Sequence, residues 1–112
     1  MDLAALKSKR AKIKTAFDGE EISIEFSPHL LTPEYQARLR KLASNAEEAG
    51  EENSDVLFLS EIMSGWDVVN NGEPFPPTKE NLRIVPAALL SVVAQGIVEY
   101  VGKQATPAAS SN

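Results

Sequence analysis

The chain has 112 residues, 43% of them hydrophobic and 6% aromatic, with a formal net charge of -5 and no cysteine. That length predicts one domain with one aliphatic core, and the lack of thiols excludes disulfides, thiolate metal sites and cysteine nucleophiles. The single histidine, His29, cannot supply a histidine cluster, and beside Pro28 it reads as a turn residue rather than a ligand.

Charge is unevenly placed. Lys7, Lys9, Arg10, Lys12 and Lys14 crowd the start of the chain, whereas Glu47, Glu48, Glu51, Glu52, Asp55 and Glu61 crowd its middle. The basic residues read as a solvated arm over residues 1–10, and the acidic total argues against nucleic acid as the main partner. No apolar run follows the arm, so no secretory leader is expected. The longest apolar stretch, residues 86–101, falls short of the roughly 20 residues that span a bilayer. A cytosolic protein that does not contact membrane is the expectation.

In chain order, Leu3 and Leu6 share one side of a possible short helix that is expected to fray or to be ordered by a partner, being brief and crowded with like charges. From Ala11 the period becomes two. Ile13, Thr15 and Phe17 alternate with Lys12, Lys14 and Ala16, and after Asp18-Gly19 the residues Ile22, Ile24 and Phe26 alternate with Glu21, Ser23 and Glu25. This predicts a hairpin with a two-residue type I′ loop, pairing Phe17 with Glu20 and Ala11 with Phe26 and gathering the apolar side chains on one face. Thr32-Pro33-Glu34 then reads as a helix start, with Thr32 as cap, and a helix over residues 33–48 sets Tyr35, Leu39, Leu42 and Ala46 on one stripe.

Residues 50–53 form a break, and Ser54 or Asp55 caps a helix over residues 55–64 rich in Leu57, Phe58, Leu59, Ile62 and Met63. Trp66 heads an ordered loop in which Asn71-Gly72 marks a turn and Pro74, Pro76 and Pro77 hold the chain extended. Thr78 caps a short helix, residues 79–84. The last helix, residues 86–101, starts at Pro86 and ends at Gly102, leaving a disordered tail over residues 103–112.

These readings predict a mainly helical α+β fold: an N-terminal β-hairpin packed on a bundle of three to four helices, as one domain over residues 11–102. The expected core is Leu57, Phe58, Ile62, Trp66, Leu89, Leu90, Val93, Ile97 and Val98. The hairpin face and the helix over residues 33–48 offer more apolar surface than one small core covers. The candidate partner-binding residues are therefore Ile13, Phe17, Ile22, Ile24, Phe26, Tyr35, Leu39 and Leu42, with Trp66 and Phe75 from the loop. Two unpaired strand edges make self-association through the hairpin a further expectation.

No phosphate loop, metalloprotease helix or nucleophile elbow is present. The paired carboxylates Glu20-Glu21, Glu47-Glu48 and Glu51-Glu52 lie in polar surroundings that do not separate their pKa values. No enzyme, cofactor or metal is expected.

The order of parts resembles the tail assembly chaperones of long-tailed bacteriophages, particularly those infecting Gram-positive and related bacteria. The resemblance covers roughly residues 5 to 100. It rests on the basic start, the Asp18-Gly19 hairpin leading to Ile22-Ser23-Ile24-Glu25-Phe26, the Leu31-Thr32-Pro33 helix start, Gly65-Trp66-Asp67-Val68, Asn71-Gly72-Glu73-Pro74-Phe75-Pro76, and the Glu80-Asn81-Leu82 to Val85-Pro86 step into an apolar helix. Asn70 and Asn71 depart from the Asp-rich turn of the pattern. The resemblance implies a chaperone that binds the tape measure protein, keeps it soluble, recruits tail tube subunits in the host cytoplasm and is absent from the finished virion. It also implies that this chain corresponds to a short form, the longer being made by ribosomal frameshifting. The rival readings are a tail-completion or head-tail connector subunit and a small helical adaptor.

Overall fold

A computed structural model of the chain describes residues 1–49 and 54–105, with the side chains of residues 1–41 and 54–103. The tail expected over residues 103–112 lies outside the described residues from 106 onward, as does the break over residues 50–53.

The hairpin forms in the expected register. Strands β1 (Ala11–Phe17) and β2 (Glu20–Phe26) pair antiparallel with Phe17 opposite Glu20 and Ala11 opposite Phe26. Asp18 and Gly19 both take positive φ, 55° and 81°, as a type I′ loop requires.

The hairpin is not the whole sheet, however, and a hairpin on a mainly helical bundle is not the architecture. A third strand, β3 (Met63–Trp66), pairs antiparallel with β2, giving the order β1-β2-β3, and a second small sheet pairs β4 (Val69–Asn70) with β5 (Glu73–Pro74). With five α-helices and two antiparallel sheets among the described residues, the fold is a small α+β domain in which β2 is the central strand. The helix expected over residues 55–64 stops at Ile62 because the free edge of β2 captures the next four residues. Ser27 N–H donates to Ile62 O at 2.9 Å, Phe26 lies opposite Met63, and a bulge between Glu25 and Phe26 carries the register on to Ile24 opposite Trp66. Asp67 extends the seam, its carboxylate accepting from Ser23 N–H at 3.0 Å and its own N–H donating to Ser23 O at 3.2 Å.

The helices start for identifiable reasons. Helix α1 (Leu3–Ser8), expected to fray, is held by Asp2, whose carboxylate accepts from the N–H groups of Ala4 and Ala5. Helix α2 (Pro33–Ala49) begins as read, with Thr32 Oγ1 accepting from Tyr35 N–H at 3.1 Å. A single 3₁₀ turn, Pro28–Leu30, joins it to β2. Helix α3 (Ser54–Ile62) is followed, after both small strands, by α4 (Lys79–Leu82), capped by Thr78 as expected.

Helix α5 (Ala87–Ala105) begins one residue later and ends later than read. Pro86 stands outside it as the residue whose carbonyl accepts the first helical bond, from Leu90 N–H at 3.2 Å, and Gly102 lies inside the helix rather than terminating it. An interior glycine costs about 1 kcal/mol relative to alanine, too little to break a helix that is otherwise docked.

The core lies between one face of the sheet and helices α3, α4 and α5. Phe26 is 0% and Ile24 1% exposed, packed with Leu59, Ile62, Leu82, Leu90, Val93 and Ile97. Phe26 meets Tyr100 edge to face at 5.5 Å between ring centroids. Helix α5 approaches β1 through Gly96, where a Cβ would stand 3.4 Å from Ile13 Cδ1. Of the expected core, Phe58, Ile62, Leu90, Val93 and Ile97 are buried, whereas Leu57, Trp66 and Leu89 are half-buried and Val98 is 56% exposed. No helix among the described residues is long and apolar enough to cross a membrane.

Candidate functional site: an apolar groove between α2, α3 and α5

The apolar positions of α5 recur on more than one side, and the sheet and α3 use only one of them. Val93 and Ile97 turn into the core, while Ala94, Val98 and Val101, at i, i+4 and i+7, form a second stripe. Opposite this stripe α2 presents Gln36, Leu39 and Arg40. The buried ring of Phe58 and the side chain of Leu31 complete a groove of about 520 Å³. Its polar margin is Gln36, Arg40, Ser54 and Asp55. Burial raises the pKa of the Asp55 carboxyl above its ordinary value, since desolvation disfavours the charged form.

A polar brace sets α2 against α3 on one side of the groove. Tyr35 Oη–H donates to Glu61 Oε1 at 2.6 Å, Arg38 Nη2 donates to the same carboxylate at 3.2 Å, and the Arg38 guanidinium lies 4.9 Å from the centre of the Tyr35 ring. Partial burial first, and then the Glu61 carboxylate, push the Tyr35 phenol well above its ordinary pKa.

The expected partner-binding residues are not brought together in one site. Ile22, Ile24 and Phe26 are buried in the core and present no surface, which removes the reading of the hairpin face as an uncovered patch; α3 and α5 cover it. Ile13, Phe17 and Tyr35 are half-buried against that core. Leu39 lines the groove. Trp66 is a strand residue whose indole N–H donates to the Phe75 carbonyl, so the two close the segment that contains β4 and β5. The side chain of Leu42 lies outside the described residues. Val98, at the open face of the groove, was expected in the core. The only sequence signal of its exposure is that α5 carries more apolar positions than one buried stripe can absorb.

Fold and groove together define a small α+β domain with an open apolar cleft between helices. The chain matches no model of a known protein family, no curated protein and no solved structure.

Proposed function

We propose that this domain is a non-enzymatic tail assembly chaperone of a long-tailed bacteriophage. In this reading it binds a helical stretch of the tape measure protein in the α2–α3–α5 groove, keeps that protein soluble, recruits tail tube subunits in the host cytoplasm and leaves before the virion is complete. The order of sequence parts supports the assignment to tail assembly. The observation that carries the binding reading is Val98: a large aliphatic side chain, 56% exposed, that lines one groove with the buried Phe58, Leu39 and Val101. A groove of this size and composition suits apolar side chains spaced i, i+3 or i+4 and i+7 on an amphipathic helix.

Co-expression with a tape measure fragment from the same phage tests the reading. The wild-type chain should hold the fragment in the soluble fraction and co-purify with it. Val98→Asp should lose the fragment while keeping its far-ultraviolet circular dichroism. Capture that is indifferent to Val98→Asp would refute the groove, and stoichiometric recovery of the chain from purified virions would refute the chaperone in favour of a connector subunit.

A further inference from the structure

We propose that the outer edge of β1 is a second binding site, which takes an extended acidic polypeptide segment as an added strand. The inference is independent of the groove and rests on backbone geometry and charge. In the β1–β2 ladder, Phe17 opposite Glu20 flanks a type I′ loop and is a hydrogen-bonded pair, as by alternation are Thr15–Ile22, Ile13–Ile24 and Ala11–Phe26. The N–H and C=O groups of Lys12, Lys14 and Ala16 therefore point away from β2. None of them meets a backbone partner outside the hairpin among the described residues. Strand β2 is closed on both sides by β1 and β3, so the sheet's open edges are the outer sides of these two strands, and β1, with 7 residues against 4, is the longer. The burial agrees: Ile22, Ile24 and Phe26 on β2 are buried, while Ile13, Thr15 and Phe17 on β1 are only half-buried.

Charge selects the occupant. Lys7, Lys9, Arg10, Lys12 and Lys14 fall on or just before β1 with no acidic residue among them. Their sole ion pair among the described residues is Lys14 Nζ with Glu21 at 3.8 Å, between groups about two-thirds exposed (68% and 67%). Such a pair is weakly held and easily exchanged. An added strand with carboxylates at alternate positions would set them beside Lys12 and Lys14, and its other side chains would extend the layer of Ile13, Thr15 and Phe17. A second copy of this chain is the poorer occupant, because its antiparallel β1 would bring its own Lys12 and Lys14 to the same face. Nucleic acid is poorer too. Phosphates accept hydrogen bonds but do not donate them, and the edge offers carbonyl acceptors as well as N–H donors.

The probe is a fluorescein-labelled peptide of alternating threonine and glutamate, matched to the 7 residues of β1. It should bind the full chain saturably and slow hydrogen exchange at the amides of Lys12, Lys14 and Ala16, while a threonine–lysine peptide should not bind. N-methylating the probe on its pairing side should abolish binding to the unaltered protein. Ala16→Pro, which removes an edge donor that the hairpin does not use, should weaken binding with the fold retained. The double change Lys12→Glu and Lys14→Glu should weaken it about tenfold. Val98→Asp should leave it unchanged, so failure of the groove reading and failure of this one are told apart. Binding without protection of those amides, equal binding of the threonine–lysine peptide, or insensitivity to N-methylation would overturn the proposal. So would tighter binding of a single-stranded oligothymidylate, or edge amides already protected by a dimer in the peptide-free protein.

Discussion

Val93 and Val98 lie five positions apart on α5, carry the same side chain and should respond oppositely to the same truncation. Val93 is 0% exposed, so Val93→Ala removes two fully buried methyl groups at about 0.8 kcal/mol each and leaves part of their volume empty. Alanine returns roughly 0.5 kcal/mol of helix propensity, for a net loss of about 1.5 to 2 kcal/mol, or roughly 6 to 8 °C in Tm for a domain of this size. At Val98, 56% exposed, less than half the transfer term is at stake and the propensity gain offsets it, so Val98→Ala should hold Tm within about 1 °C. Binding should show the reverse order. Titration of a tape measure fragment should find Val98→Ala weakened and Val93→Ala, measured well below its Tm, unchanged. Equal falls in Tm would mean that the two faces of α5 are wrongly assigned. Weakened binding in Val93→Ala alone would mean that the groove is not the site.

Three further outcomes follow from particular contacts. Phe26→Asp should abolish the fold, read as lost circular dichroism and a lost cooperative transition, because it places a carboxylate at a position with no solvent exposure and removes the Tyr100 contact. Tyr35→Phe should cost about 1 kcal/mol at neutral pH and flatten the alkaline fall in Tm. The folded phenol pKa is raised, so its stabilisation is complete below the ordinary tyrosine value near 10 and is lost as pH rises through the folded value. Gly96→Ala should raise stability by about 0.5 to 1 kcal/mol, since the new Cβ meets the movable methyl of Ile13 at 3.4 Å and Thr15 at an ordinary 4.0 Å. Gly96→Val, with two further carbons in the same gap, should lower it by about 1 to 3 kcal/mol; chemical denaturation measures both.

The local features that sequence carried well were those whose cause is local. The Asp18-Gly19 loop and its alternating flanks determine the register, and Thr32 and Thr78 cap the helices that follow them. Met63–Trp66 was illegible as a strand because Met-Ser-Gly-Trp has no alternation or β-branched residue of its own; its pairing is decided by an unpaired edge far earlier in the chain. The same distance hid the cover of the hairpin face. Ile22, Ile24 and Phe26 look like surplus surface until α3 and α5 are placed over them, and the surplus then falls to Val98, on the far side of the covering helix. Periodicity shows that α5 is apolar on several sides; which side meets solvent depends on what packs there.

The covering of an N-terminal hairpin by a C-terminal helix also sets a timetable. At a synthesis rate of about 5 to 20 residues per second, the growing chain carries a finished hairpin for roughly 4 to 15 s before Val101 is added. A hairpin of this kind closes within about 10 μs. During that interval Ile22, Ile24 and Phe26 have no lid, and a nascent chain with a bare apolar ribbon is open to pairing with its neighbours on the polysome. Lys12 and Lys14 are already in place on the opposite face, and the β1 edges of two nascent chains repel one another. The lysines of β1 thus guard the unfinished chain before the folded one has any partner to meet, and their replacement by neutral residues should lower the soluble yield at fast translation more than it lowers Tm.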